Sequence, residues 1–244
     1  LRKMIKKVYV DTMVRAIDWS PDGSMIGAGM GGNVGRGRQK KDGAMIVIST
    51  DSMSVIHQAR DSREWISDAK FSPNGKSFSI GSNDNKIYVY HVSRDFSLRA
   101  KCEKHHSFIT HFDYSEDSSY IQSNCGGYEL HFFNAIDGEH VHSPSICKDV
   151  EWHTQTCTLG WYIQAIWPEY VDGVEILSVD RSKNSKYVST SDESGSVKIF
   201  RYPVLQKGAD YVSFSGHAGH CAKARFNADD RYLITIGAKD RTIL

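Results

Sequence analysis

An all-β fold, a β-propeller assembled from repeated blades, is predicted by three observations on the 244-residue sequence. A short polar turn recurs five times. Apolar residues alternate ahead of the turns. Successive turns stand 52, 43, 67 and 45 residues apart, close to the period of about 40 to 45 residues that marks four-stranded propeller blades.

The turns read Ser20-Pro21-Asp22, Ser72-Pro73-Asn74, Ser115-Glu116-Asp117, Ser182-Lys183-Asn184 and Asn227-Ala228-Asp229. Proline at the second position presets φ, and Asp, Asn and Ser side chains fold back onto the nearby backbone. Before the turns, Ile17 and Trp19, Ala69 and Phe71, Phe112 and Tyr114, and Ala224 and Phe226 alternate with other residues, the period of a strand. A second strand follows each turn: 25–28, 78–81, 120–122, 187–190 and 232–236, ending in small or glycine-containing residues. A third strand is expected to close each unit: 45–48, 86–90, 129–133, 197–200 and, cut short, 242–244.

The repeats resemble WD40 repeats in residues as well as in spacing. The segments that carry the likeness are Asp84-Asn-Lys-Ile-Tyr-Val-Tyr90, Asp192-Glu-Ser-Gly-Ser-Val-Lys-Ile-Phe200, and Gly216-His217 leading to Asp240, with Tyr or Phe in place of the closing Trp. In WD40 repeats the His ahead of the first strand and the Asp ahead of the third belong to a hydrogen-bonded network that locks the blade. His217 and Asp240 match both positions. His105 matches the first without its glycine, and Gly126-Gly127 stand where the Asp is expected, so that network is expected to be incomplete. One propeller region over 1–244 follows, with repeats at about 11–60, 61–104, 105–172, 173–214 and 215–244 and insertions at 31–43 and 147–172. Five blades are recognisable, the last truncated, and the chain reads as an excised part of a larger protein.

Composition narrows the function. The balance of 30 Lys plus Arg against 29 Asp plus Glu supplies no global field to steer the chain to nucleic acid or an anionic membrane, so neither partner is expected. No apolar run approaches the roughly 18 residues that would span a bilayer, and the first residues lack a signal-peptide core. The five cysteines are odd in number and form no CxxC pair, which argues against a disulfide framework and fits a reducing, cytoplasmic location.

Three candidate chemistries dissolve on inspection. Gly27-Ala-Gly-Met-Gly-Gly32 matches GxGxxG after a strand, but the residues behind it cannot open the helix that a dinucleotide needs. Cys102, His105, His106 and His111 are soft ligands by type, yet strand geometry turns them apart; Cys147, His153 and Cys157 lack ligand spacing. No nucleophile elbow, HExxH helix or phosphate loop occurs. No enzyme activity, cofactor or metal is expected. The insertion at 31–43 does carry Arg36, Arg38, Lys40 and Lys41, a cationic loop suited to an acidic partner.

The second insertion holds three tryptophans, Trp152, Trp161 and Trp167, in Cys147-Lys-Asp-Val-Glu-Trp152 and Thr156-Cys-Thr-Leu-Gly-Trp-Tyr-Ile-Gln-Ala-Ile-Trp-Pro168. Burying a large apolar side chain contributes roughly 1.5 to 3 kcal/mol, so the segment is expected to pack on the propeller or a neighbouring domain. With His106-Ser-Phe-Ile-Thr-His111, Phe200-Arg-Tyr-Pro203 and Ser215-Gly-His-Ala-Gly-His220, it closely resembles the C-terminal part of the echinoderm microtubule-associated protein-like family. The resemblance implies two tandem propellers, of which this chain is much of the second. It also implies binding of tubulin or microtubules, a cytoskeletal location, and oligomerisation through a coiled coil outside this chain. The leading expectation is a non-catalytic interaction scaffold that influences microtubule organisation. A generic WD40 adaptor, reading a peptide or assembling a signalling or ubiquitin-ligase complex, is the alternative. A propeller hydrolase is a third class with no residues to support it.

Overall fold

The computed structural model describes residues 6–10, 12–32, 42–167 and 174–244. Seventeen strands are present among them: β1 Val14–Trp19, β2 Met25–Met30, β3 Met45–Ser49, β4 Val55–Ala59, β5 Ile66–Phe71, β6 Ser77–Ser82, β7 Lys86–His91, β8 Ser97–Glu103, β9 Ile109–Tyr114, β10 Tyr120–Cys125, β11 Leu130–Asn134, β12 Ile176–Arg181, β13 Tyr187–Asp192, β14 Ser196–Arg201, β15 Tyr211–Ser215, β16 Cys221–Phe226 and β17 Leu233–Gly237. They form antiparallel meanders, β1-β2-β3-β4, β5-β6-β7-β8, β9-β10-β11, β12-β13-β14-β15 and β16-β17. These are the blades of a β-propeller. Two compact units hold them, residues 1–153 with the first three blades and residues 154–244 with the last two.

All five turns close in one way. Ser20, Ser72, Ser115 and Ser182 each donate Oγ–H to the Asp or Asn two residues on, at 2.6 to 2.9 Å. The same Oγ accepts the N–H that opens the second strand, from Met25, Ser77, Tyr120 or Tyr187. Asn227 Oδ1 does this for Tyr232 at 3.0 Å. The fourth residue of each turn takes positive φ: Gly23, Gly75, Ser118, Ser185 and Asp230.

A second recurrence has no counterpart in the sequence pattern. Every first strand bulges by one residue against the second, at Arg15, Ser67, Thr110, Leu177 and Ala222. Such a bulge bends a strand and increases its local twist, here at the same end of every blade.

The second strands run past their expected ends, to Met30, Ser82, Cys125, Asp192 and Gly237. The small residues do not terminate them. A Cβ on Gly27 would meet the Phe78 ring at 2.3 Å, and one on Gly81 would meet Ile109 Cγ2 at 2.7 Å. These glycines let the next blade approach the middle of the sheet. Nor does a third strand close the unit: β4, β8 and β15 add a fourth to their sheets. In the third blade, residues 139–141 do so by a bridge of His140 to Phe133.

Within each unit the core lies between successive blades. In the first unit, Met45, Val47 and Ala16 pack on Ile66, Phe71, Phe78 and Ile80, and Ile87, Val89 and Cys102 pack on Ile109, Phe112, Ile121 and Phe133. In the second, Val197 meets Cys221 and Ala224. Ile17 and Trp19 alternate as expected but stand on the face of β1 turned away from the second blade, and are exposed. The tryptophan-bearing insertion packs in two pieces. Trp152 is buried and stacks on Phe132 in the first unit. In the second, Ile163 and Ile166 enter a cluster with Val179, Val188 and Phe200, and Trp167 donates Nε1–H to Thr158 O at 2.9 Å.

Candidate functional site

Among the described residues, several carboxylates and histidines bond one strand or turn to another. Asp18, Asp68 and Asp180 stand on first strands and reach the first strand of the following blade. Their Oδ2 atoms accept the N–H of Phe71 at 2.7 Å, Phe112 at 3.1 Å and Phe226 at 2.7 Å. Burial raises the Asp18 carboxyl above its usual range, with Lys70 acting against it. Lys70 Nζ lies 3.4 Å from Asp68 and 3.9 Å from Asp113, whose side chain is fully buried, so one cation answers several carboxylates. Sequence reasoning missed these ties; the available signal was an Asp inside an otherwise alternating strand.

The His and Asp of the fifth blade come together. His217 Nδ1 lies 3.1 Å from Asp240 Oδ2 and 3.0 Å from Thr242 Oγ1, and its Nε2 lies 2.8 Å from Thr235 Oγ1. Asp240 also accepts the N–H of Ala218 and Thr242. The Thr242 and Ala218 amides hold its carboxyl below the usual range against a smaller desolvation effect.

In the third blade His105 Nε2 lies 2.7 Å from Ser123 Oγ, in the manner of His217 and Thr235. A carboxylate from outside the Gly126-Gly127 position stands near the place of the missing Asp. Glu129, two residues closer to the strand than the Asp position at Gly127 and one methylene longer, brings Oε2 to 3.3 Å from His105 Nδ1. Desolvation opposes its ionisation, but the His106 backbone and ring together with the Cys125 thiol hold Glu129 down to about 2. Burial, and then the neighbouring His131, push His105 down to about 4, leaving it neutral. His111 is buried on β9, and Cys102, also buried, has its thiol pushed up to about 12 by burial. The second blade uses Ser62 at the equivalent place, bonded to Ser82 Oγ at 2.7 Å and Asp84 Oδ2 at 2.9 Å, with Tyr88 donating to the same Asp84 oxygen.

Arg36, Arg38, Lys40 and Lys41, the cationic loop, lie outside the described residues. On either side of that segment, Gly32 N–H donates to Asp42 Oδ1 at 2.8 Å, and Arg60 Nε–H donates to Asp42 O. A groove of about 860 Å³ lies beside the first residues of β15, the edge strand of the fourth blade, lined by Tyr187, Phe200, Arg201, Leu205, Tyr211 and Val212. Tyr211, Val212 and Phe214 on that strand are all more than half exposed. Sequence reasoning did not find it, because β15 itself was not legible.

The model of the second β-propeller of echinoderm microtubule-associated proteins matches residues 1–244. The chain belongs to the echinoderm microtubule-associated protein family. It is 35% identical over 230 residues to human echinoderm microtubule-associated protein-like 3, covering 93% of this chain and 25% of that protein. The 77 kDa echinoderm microtubule-associated protein of Strongylocentrotus purpuratus is 35% identical over 227 residues, covering 92% of this chain and 32% of that one. The chain thus spans about a quarter to a third of these family members. Among solved structures, a chain of the mitotic checkpoint complex crystal structure superposes with a TM-score of 0.69 at 13% identity, over 97% of this chain and 75% of that one. The β-propeller domain of Cps50 (Swd1) from Myceliophteria thermophila gives 0.61 at 9% identity, over 96% and 65%. These likenesses are of fold, and they agree with the family's propeller. No helix among the described residues is long and apolar enough to cross a membrane.

Proposed function

We propose that this chain is a non-catalytic interaction module of the cytoplasmic cytoskeleton that binds tubulin or microtubules. The family match over residues 1–244 carries the reading, and the relatives named above are microtubule-associated proteins. The use of the Asp and His side chains in blade-to-blade and turn-to-strand bonds supports a scaffold; His217, Asp240 and His105 act here as blade locks. In the same reading Arg36, Arg38, Lys40 and Lys41 meet acidic segments of tubulin, and 31–43 and 147–172 are insertions in one propeller region. Opposite charges steer such an encounter and make it salt-sensitive.

Co-sedimentation and pull-down of the intact parent protein with purified tubulin, at low and moderate salt, test this. Binding that weakens with salt and with joint reversal of the four loop charges to Glu is the expected result. Absence of binding at low salt would falsify the proposal. The groove beside β15 favours one second reading, an adaptor that grips an extended peptide by aromatic and arginine contacts. In that case Tyr211→Ala weakens partner binding and the loop reversal leaves it intact.

A further inference from the structure

The third and fifth blades solve one problem with different chemistry. In the fifth, both ring nitrogens of His217 have hydrogen-bond partners. In the third, the fully buried side chain of His105 has Ser123 Oγ 2.7 Å from Nε2 and Glu129 Oε2 3.3 Å from Nδ1. That second contact lacks the geometry of a directed hydrogen bond. A second imidazole turns into the same space: His131 Nε2 is also buried without a hydrogen bond, while its Nδ1 lies 3.2 Å from His140 Nε2. Both nitrogens face one oxygen, Glu129 Oε2, at 3.3 and 3.7 Å.

If His105 donates Nε2–H to Ser123 and His131 donates Nδ1–H to His140, each ring points a bare lone pair at a carboxylate oxygen. Three electron-rich atoms then converge in a mostly buried space, an arrangement that a proton or a metal cation between them relieves. We propose that His105, Glu129 and His131 bind a single divalent cation of the zinc class, through Nδ1, Oε2 and Nε2, with water as the fourth ligand.

The geometry suits that ion. Zinc holds imidazole nitrogen and carboxylate oxygen at about 2.0 to 2.2 Å, so ligand atoms at the corners of its tetrahedron stand about 3.3 to 3.6 Å apart. The two measured separations bracket this range, and one ligand atom from each of the three residues lies within 4.8 Å of the other two. Glu129 and His131 are two residues apart at the start of β11, where the strand period puts them on one face. Outer partners are in place as well. Ser123 and His140 orient the two rings, and His106 holds the carboxylate through Nδ1 at 2.7 Å from Oε1 and N–H at 3.0 Å from Oε2. Such contacts fix ligand orientation and raise affinity. Bound there, the cation staples the segment before β9 to the start of β11, the two places that His217 and Asp240 join in the fifth blade.

Equilibrium dialysis of the intact chain against micromolar zinc, with metal content measured afterwards, tests the site; cobalt substitution reports coordination by visible absorption. One equivalent per chain is expected, with at least about tenfold weaker binding in Glu129→Gln and in His131→Asn and unchanged binding in His142→Ala. A chain that takes up no zinc overturns the proposal, as does uptake that survives both ligand substitutions. Should the variants lose their fold by circular dichroism, the imidazole resonances of the unsubstituted chain decide. Shifts at His105 and His131 on adding zinc support the site, and their absence overturns it.

Discussion

Ser118, Ser185 and Asp230 hold φ at 63°, 54° and 57°, where the first two blades have Gly23 and Gly75. A non-glycine residue in that left-handed region costs roughly 1–2 kcal/mol. Two of the three side chains have employment that glycine lacks. Ser118 Oγ accepts the N–H of Asn74 in the preceding blade's turn at 3.1 Å. Asp230 accepts the N–H groups of Lys183 and Asn184, both at 2.8 Å. Ser185→Gly is therefore expected to raise stability by about 0.5–1 kcal/mol, after allowing for glycine's greater chain entropy. Asp230→Gly is expected to lower it, and urea denaturation of the two variants checks the contrast. Asp240 gives a pH prediction. Its carboxyl is lowered in the folded state from 3.8, so its contribution is present above pH 3.8 and is lost as the pH falls below that value toward the folded pKa. Asp240→Asn is expected to flatten this part of an acid-unfolding curve and to lower stability at neutral pH.

Among the elements, the second strands owe their positions to close approach across blades. Gly81 on β6 lies against Ile109 of β9, and an added methyl would meet Ile109 Cγ2 at 2.7 Å, Phe112 Cδ1 at 3.3 Å and Ile109 Cβ at 3.4 Å. Gly81→Ala is expected to cost about 1–3 kcal/mol by overpacking. In an Ile109→Ala background the nearest of these contacts disappears, so the same substitution is expected to cost less; a double-mutant cycle by chemical denaturation measures the difference. Much of the blade was legible because its signals are local. The Ser-x-Asp turns and the alternation of Ala69 with Phe71 are read within a few residues. The fourth strands were not, because outer strands are half solvated: Val55, Ile56 and Leu98 are exposed, as is every residue of β15. The ties of Asp18, Asp68 and Asp180 span 53, 44 and 46 residues, beyond any local pattern. Of the third-blade cluster, His105 was visible as half of a known pair. Glu129 and His131 carried only an E-x-H spacing, which acquires meaning once β11 is laid beside the turn preceding β9.

Across the whole molecule, five cysteines are distributed among blades and insertion, and all are buried free thiols. Burial raises the thiols of Cys102, Cys125, Cys147 and Cys221, depleting the reactive thiolate at neutral pH. The native chain is expected to react slowly with an aromatic disulfide reagent and the urea-unfolded chain rapidly; fast reaction of several thiols in the native state would contradict the burial. The five closed turns carry a consequence for the time course of assembly. Each turn satisfies itself through residues two to five positions apart, so its hairpin can form before any neighbouring hairpin exists. The carboxylate ties become available only when the following first strand has emerged. Short-range contacts form fast and distant ones late, and within each unit blades are therefore expected to be added one after another along the chain, the second, third and fifth each locking onto the Asp already waiting on the blade before it.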